Sequence, residues 1–235
     1  MIENIYTSGE YLEKNPTWHI EHSPWKARQI LRIMARNKLA PQSICEVGCG
    51  AGEILRQLQK KMEQPCMLWG YEISPQAFAL CRSRENESLH FKLADIRQEK
   101  DMFFDLILLI DLIEHLEDYF GFLREIKQKS QYKILHIPLD LTLRAIVRRE
   151  LIGHREHAGH LHYFMQDIAL QMLKDVGYEV LDYFYTPIAL EVPAKAMTTE
   201  VKRQLLLLPR KLSFAMQKDL AVRLLGGWSL LVLVK

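Results

Sequence analysis

Short apolar runs alternate with amphipathic stretches along most of the chain, and this alternation predicts strands and helices in turn. Residues 43–47, 66–73, 89–93, 104–110, 133–137, 178–185 and 229–234 read as strands. The fourth, Phe104 to Ile110, is apolar apart from Asp105 and predicts a strand buried on both faces. Helices are predicted over 25–38, 51–62, 119–129 and 165–176, with a further one opened by Ser74-Pro75. Ile54, Leu55, Leu58 and Met62 carry the helical spacing of the second. Ser23-Pro24 predicts an N-cap followed by proline at the first helical position, and Gly177 predicts a helix stop. Strands alternating with helices specify βαβ units, a mostly parallel sheet and helices on both faces: a doubly wound α/β fold.

Length and composition narrow this picture little. At 235 residues the chain suits one α/β domain, and 49% hydrophobic with 26% charged residues is ordinary for a globular protein. A net charge of +2 gives no basis for a nucleic-acid partner. Cys45, Cys49, Cys66 and Cys81 form no CxxC pair and read as reduced thiols. The first residues lack the pattern of a signal peptide, and the apolar runs are too short to span a bilayer, so a cytoplasmic location is expected.

The chemistry begins at Glu46-Val47-Gly48-Cys49-Gly50-Ala51-Gly52, between the first strand and the second helix. Gly48, Gly50 and Gly52 let backbone approach a ligand where a Cβ would collide. The GxGxG spacing differs from the GxGxxG that seats a pyrophosphate. An acidic residue just before the loop suits a ligand with an ammonium group, such as S-adenosylmethionine (AdoMet), which has no phosphate. Glu72 ends the second strand, twenty residues after Gly52, where a carboxylate can accept from both ribose hydroxyls. Asp95 follows the third strand and can accept from an adenine amino group, with Ile73 and Ile96 flanking the ring. Asp111 ends the fourth strand at the edge where open sheets bind ligands.

These segments, together with Phe104-Asp105-Leu106-Ile107 and Asp111-Leu112-Ile113-Glu114-His115-Leu116, resemble the class I AdoMet-dependent methyltransferases, in particular the type 11/12/23 small-molecule group. The resemblance covers roughly residues 40–185 and the terminal apolar run. It implies a Rossmann-like, doubly wound seven-stranded sheet, mostly parallel, whose antiparallel last strand inserts between the fifth and sixth. It implies cofactor contacts at Glu46, Gly48, Cys49, Gly50, Gly52, Glu72, Ile73, Asp95, Ile96, Asp111 and Leu112, with S-adenosylhomocysteine (SAH) as product. The expected organisation is one methyltransferase domain over 1–235: a helical lid region at 1–40, an AdoMet-binding core at 41–185, a substrate-side insertion at 186–227 and a last strand at 228–235.

The acceptor is expected to be a small molecule methylated at oxygen, and an apolar one is compatible with the sequence. His115 is the first candidate for a base or acceptor orienter, and His160 and His162 are the next. Gly159-His160-Leu161-His162-Tyr163-Phe164 matches a stretch that often lines the acceptor pocket in the resembled group. Four histidines between His154 and His162 invite a metal reading, but the run is predicted as loop with no cysteine and no HExxH spacing. No metal is expected, and His154 and His157 read as solvated. Trp18 and His19 are candidates for a lid. Lys195, Lys202, Arg203, Arg210, Lys211, Lys218 and Arg223 accompany Met197, Val201, Leu205 and Leu208. Such a stretch could meet a membrane surface, but Pro209 is expected to divide it, and a lid packed on the domain is preferred. The competing readings are an NAD(P)-dependent oxidoreductase and a non-catalytic AdoMet-binding subunit.

Overall fold

A computed structural model describes residues 9, 12, 13, 15, 17, 18, 20–187 and 200–235, with backbone alone over 200–206. Seven strands form one sheet: β1 (Ser43–Val47), β2 (Met67–Glu72), β3 (Leu89–Leu93), β4 (Phe104–Ile110), β5 (Ser130–Pro138), β6 (Val180–Thr186) and β7 (Ser229–Val234). Their order is β3-β2-β1-β4-β5-β7-β6. The β1–β2, β2–β3, β1–β4 and β4–β5 pairs are parallel, whereas β7 runs antiparallel to both neighbours. The expected insertion of the last strand between the fifth and sixth is therefore present. Strand order reverses between β1 and β4, so a crevice opens at their carboxyl ends.

The pleat distributes the core to both faces. Leu106 and Leu108 of β4 pack with Ile30 and Ile33 of α1 (Ser23–Arg36) and with Leu55 and Leu58 of α2 (Glu53–Lys61). Ile107 and Leu109 pack on the other face with Leu123 and Ile126 of α4 (Tyr119–Lys127), α3 being Pro75–Cys81. Each fully buried Leu or Ile contributes about 1.5–3 kcal/mol relative to an exposed one, so β4, covered on both faces by helices, anchors the sheet strongly. Every residue of β7 is buried as well.

Several local expectations change. Ser74 caps α3 as expected, its Oγ accepting from Ala77 N at 3.3 Å. Ser23 does not cap α1. A 3-10 turn over Ile20–His22 leads into that helix, and His22 already has helical dihedrals (φ −87°, ψ −17°), so the extended break that a side-chain cap needs is absent. The segment after β5, read as loop, contains α5 (Leu143–Val147) and α6 (Glu150–Ala158) before α7 (Gln166–Asp175). α6 was hard to foresee because its apolar residues keep no consistent face, and none of its residues is buried.

The stretch before β7 holds α8 (Glu200–Met216) and α9 (Lys218–Leu225). Pro209 lies inside α8 rather than ending it. A proline removes one intrahelical donor, and the surrounding turns can carry that loss. Lys195, Met197 and His19 lie outside the described residues, as do the side chains of Val201, Lys202, Arg203 and Leu205. Among the described residues no helix is long and apolar enough to cross a membrane.

Gly52 starts α2 at φ +72°, and a Cβ there would lie 2.4 Å from the Phe91 ring and 2.9 Å from Cys81 Cβ. Gly52→Ala is expected to cost ~2–4 kcal/mol through left-handed strain and overpacking. Urea unfolding should show this as a lower midpoint at unchanged m-value. An unaltered midpoint would mean that Phe91 moves aside freely.

Candidate functional site

Two cavities meet at the carboxyl ends of β1 and β4. The first, about 360 Å³, is walled by Glu46, Gly48, Cys49, Gly50, Asp111, Glu114, His115 and His160, with Trp228 from the far side. The second, about 350 Å³, is walled by Glu72, Ile73, Asp95, Ile96, Leu112 and others. Trp18, Gly48, Asp111 and His115 belong to both walls. A Cβ on Gly50 would come within 2.5 Å of the Trp18 indole, so the ring lies close against the glycine loop.

Asp111 anchors the junction. Its carboxylate takes Lys26 Nζ from α1 at 2.6 Å and His136 Nδ1 from β5 at 2.5 Å. His136 Nε2 donates to Thr186 Oγ1 at 2.9 Å, and the Thr186 hydroxyl donates to the Ser229 carbonyl at 3.1 Å. Burial alone would raise the Asp111 carboxyl, but Lys26 and His136 outweigh it and hold the group well below the carboxylate range. Burial likewise works against the Lys26 ammonium, and Asp111 more than restores it. The pair is therefore ionised, and Asp111 directs its oxygens to protein partners.

Glu46 and Glu114 are the opposite case. Both are buried, at 2% and 1% exposure, in the wall of the first cavity. Glu46 Oε2 and both Glu114 oxygens have no hydrogen-bond partner among the described residues. Burial pushes the Glu46 carboxyl up to about 8 against the pull of Lys26. Glu114 is raised well above its ordinary value by burial and then by Asp111.

In the second cavity the acids are already bonded. Glu72 accepts from Gly50 N at 2.8 Å, Ile73 N at 2.9 Å and Ser74 N at 2.8 Å, which ties the glycine loop to the end of β2. Asp95 accepts from Arg97 N at 2.9 Å and pairs with Arg97 Nη2 at 2.6 Å. Burial raises the Asp95 carboxyl, but Arg97 reverses this and leaves it below the ordinary value. Ile73 is half-exposed in this wall, and Ile96 is buried beneath it. Gly52, expected among the cofactor contacts, is in neither wall; its role is the close approach of α2 to Phe91.

The histidines separate into distinct roles. His115 Nδ1 donates to the Gly159 carbonyl at 3.2 Å, and burial followed by His160 lowers this imidazole to about 4. His160 Nδ1 bonds Asp140 Oδ2 at 2.7 Å, and its ring meets that of His115 edge-on at 5.0 Å. His162 falls outside both walls: Nε2 donates to the Leu116 carbonyl at 2.9 Å and the ring packs on Tyr119, so its placement is structural. His154, read as solvated loop, sits on α6 with Nδ1 3.4 Å from Asp140 Oδ2. His157 is on the same helix and bonds the Gly153 carbonyl. Burial raises the Asp140 carboxyl, but His154 and His160 bring it down to about 2.

Sequence reasoning missed Lys26 as the partner of Asp111, and also His136, Asp140 and the unpartnered Glu114. Two signals could have found some of them: His136 interrupts the apolar run Ile134-Leu135-His136-Ile137, and Asp140 is one more acid just past a strand end. The four cysteines are free thiols, three of them buried.

Comparison with known proteins places the fold. The chain is similar in fold to magnesium protoporphyrin IX methyltransferase from Synechocystis PCC 6803 with bound SAH, at TM-score 0.57 and 14% identity, covering 90% of this chain and 81% of that one. It is similar to the N-methyltransferase NodS of Bradyrhizobium japonicum WM9 in complex with SAH, at TM-score 0.54 and 16% identity over 89% and 84%. It is also similar to the [4+2]-cyclase SpnF, at TM-score 0.56 and 14% identity over 89% and 80%, so these likenesses establish the fold and not the reaction. A methyltransferase-domain family matches residues 18–183, most of the chain, and the protein belongs to that family.

Proposed function

We propose that this protein transfers the methyl group of AdoMet to an oxygen of a small-molecule acceptor. The observation that carries the cofactor half is Glu46: a buried carboxyl with an unpartnered oxygen, beside glycines 48 and 50, at the wall of a cavity. An ammonium group supplies the missing partner. Glu72, Ile73, Asp95 and Ile96 then line the cavity that suits the adenosine, and the shared wall at Trp18, Gly48, Asp111 and His115 suits the sulfonium. When bound, AdoMet supplies a methyl group already activated by its positive sulfur.

The remainder of the first cavity is the acceptor side. His115, His160 and Trp228 line it, and Asp140 fixes the ring orientation of His160. At about 360 Å³ the cavity suits a metabolite rather than a macromolecule. Histidines beside the site suit an acceptor that must lose a proton, which favours a hydroxyl. Aligning acceptor and methyl group is the main task left to the chain, and rigid anchoring of both cavity walls supports it.

Two outcomes are expected. With its pKa near 8, Glu46 carries a proton at neutral pH in the ligand-free chain, whereas an adjacent ammonium favours the carboxylate. SAH binding should therefore release a proton near pH 7, and affinity should rise with pH until about 8. The same raised pKa makes the ligand-free fold lose stability as pH rises through that window. Calorimetry in buffers of different ionisation enthalpy reads the release. Glu46→Gln should abolish it and weaken SAH by about 1.5–3 kcal/mol. Proton release that persists in Glu46→Gln would assign it elsewhere.

The second outcome concerns turnover. Labelled AdoMet should pass its methyl group to a component of a metabolite extract, with rates lowered roughly 100-fold or more in His115→Ala and His160→Ala. Thermal stabilisation by SAH but not by NAD(H) should accompany it. SAH binding with no transfer to any fraction would point to a non-catalytic binding subunit, and stabilisation by NAD(H) alone would sink the cofactor assignment.

A further inference from the structure

We propose that Glu114, His115 and His160 bind one divalent cation of the first transition row at the wall of the acceptor cavity. The inference deepens the function proposed above, on which it rests only for the statement that this cavity receives the acceptor. A carboxylate oxygen of Glu114 and a ring nitrogen from each histidine lie within 4.8 Å of one another, and His115 Nε2 is 3.8 Å from Glu114 Oε1. An ion about 2.0–2.2 Å from each donor bridges such a gap. All three residues line the same cavity.

The environment of each ligand supports the assignment independently of the distances. Glu114 is 1% exposed and neither of its oxygens has a hydrogen-bond partner, a condition that calls for a missing group. Each histidine is oriented through its other nitrogen: His115 Nδ1 by the Gly159 carbonyl, and His160 Nδ1 by the Asp140 carboxylate. Carbonyl and carboxylate partners of this kind select the tautomer whose Nε2 lone pair is the ligand. His154, 3.4 Å from the same Asp140 oxygen, steadies that carboxylate in turn. The histidine run alone does not make the site, because only His160 of that run takes part and the other two ligands follow β4.

Charge leads to the same residue. Asp111 is balanced by Lys26 and His136, and Glu46 faces the side proposed for the AdoMet ammonium. Glu72 is satisfied by three backbone donors, which leaves Glu114 as a buried carboxyl with neither a cation nor a hydrogen-bond partner among the described residues. Two imidazoles and one carboxylate suit zinc, iron, cobalt or manganese better than calcium or magnesium, which take oxygen ligands. Three protein ligands leave positions open toward the cavity, where an acceptor oxygen can bind. Such an ion would favour the deprotonated acceptor, whose proton leaves to water. The oxygen lone pair then forms the bond to the methyl carbon as the carbon–sulfur pair returns to sulfur.

The test uses the full chain, dialysed against EDTA and titrated with Co²⁺ alone. Visible d–d absorption should saturate at one ion per chain, and calorimetry with Zn²⁺ and Mn²⁺ should give the same stoichiometry. Glu114→Gln, which preserves side-chain shape, and His160→Gln should lose this binding. Asp140→Asn should weaken it roughly 10–100-fold. Stabilisation by SAH serves as the separate check that each variant is folded. The proposal is overturned if Co²⁺ shows no saturable binding or if Glu114→Gln binds as the parent does. Should SAH fail to bind the unaltered chain, the methyltransferase reading falls while the Co²⁺ titration still decides the ion site.

Discussion

The partly buried Asp111 carboxylate, paired with Lys26 and His136, is the interaction on which the site depends. It stands at φ +51°, a left-handed conformation that costs a non-glycine residue roughly 1–2 kcal/mol. That conformation turns the chain out of β4 while Asp111 N still donates to the His136 carbonyl at 3.0 Å. The carboxylate then joins α1 through Lys26 to β5 through His136, and the chain of bonds continues through Thr186 of β6 to Ser229 of β7. Removing either member of this partly buried pair leaves the other charge unmatched, which is costly in proportion to its burial. Both this cost and the backbone strain are therefore sustained by neighbours on four elements, and the crevice between β1 and β4 has a rigid floor.

That floor explains how other buried acids can remain unmatched nearby. Glu46 and Glu114 sit close to Asp111, so only one of the three carboxyls can take Lys26. Lys26 goes to the carboxyl that also holds His136, and the remaining two keep protons or await cations. A cavity with this imbalance favours positively charged contents, which an AdoMet ammonium and sulfonium provide. The balance differs in the second cavity. There Glu72 is satisfied by three backbone donors and Asp95 by Arg97, so adenosine would meet preorganised oxygens rather than deficient ones.

The difference between the two cavities also explains what was legible in the sequence. Strands and their order follow from alternating patterns of short range, and the boundaries of β3, β4 and β7 coincide with the apolar runs. The cofactor side is built from strand ends, so Glu46, Gly48, Glu72, Asp95 and Asp111 could be located by counting along the chain. Gly52 serves the close approach of α2 to Phe91, and in the sequence such a glycine looks the same as one needed for a ligand. The cap at Ser23 failed because a preceding 3-10 turn had already set the helical path. His162 lies outside both cavity walls because its Nε2 is held by the Leu116 carbonyl and its ring packs on Tyr119, contacts that no spacing along the chain announces.

The acceptor side was less legible because it is assembled from distant parts of the chain. Trp18 and Ile20 come from before α1, His115 from after β4, Asp140 and His160 from around α5 and α6, and Gly227 and Trp228 from the entry to β7. No single spacing encodes such a set. Each member reads locally as something ordinary: an aromatic near a terminus, a histidine in a polar run, an acid after a strand. Only the closure of the sheet, with β7 placed between β5 and β6, brings the last of them to the same wall. On the proposed function, cofactor recognition falls to strand ends that the fold dictates and acceptor recognition to connecting segments, where substitutions can alter what is bound without disturbing the Asp111 anchor.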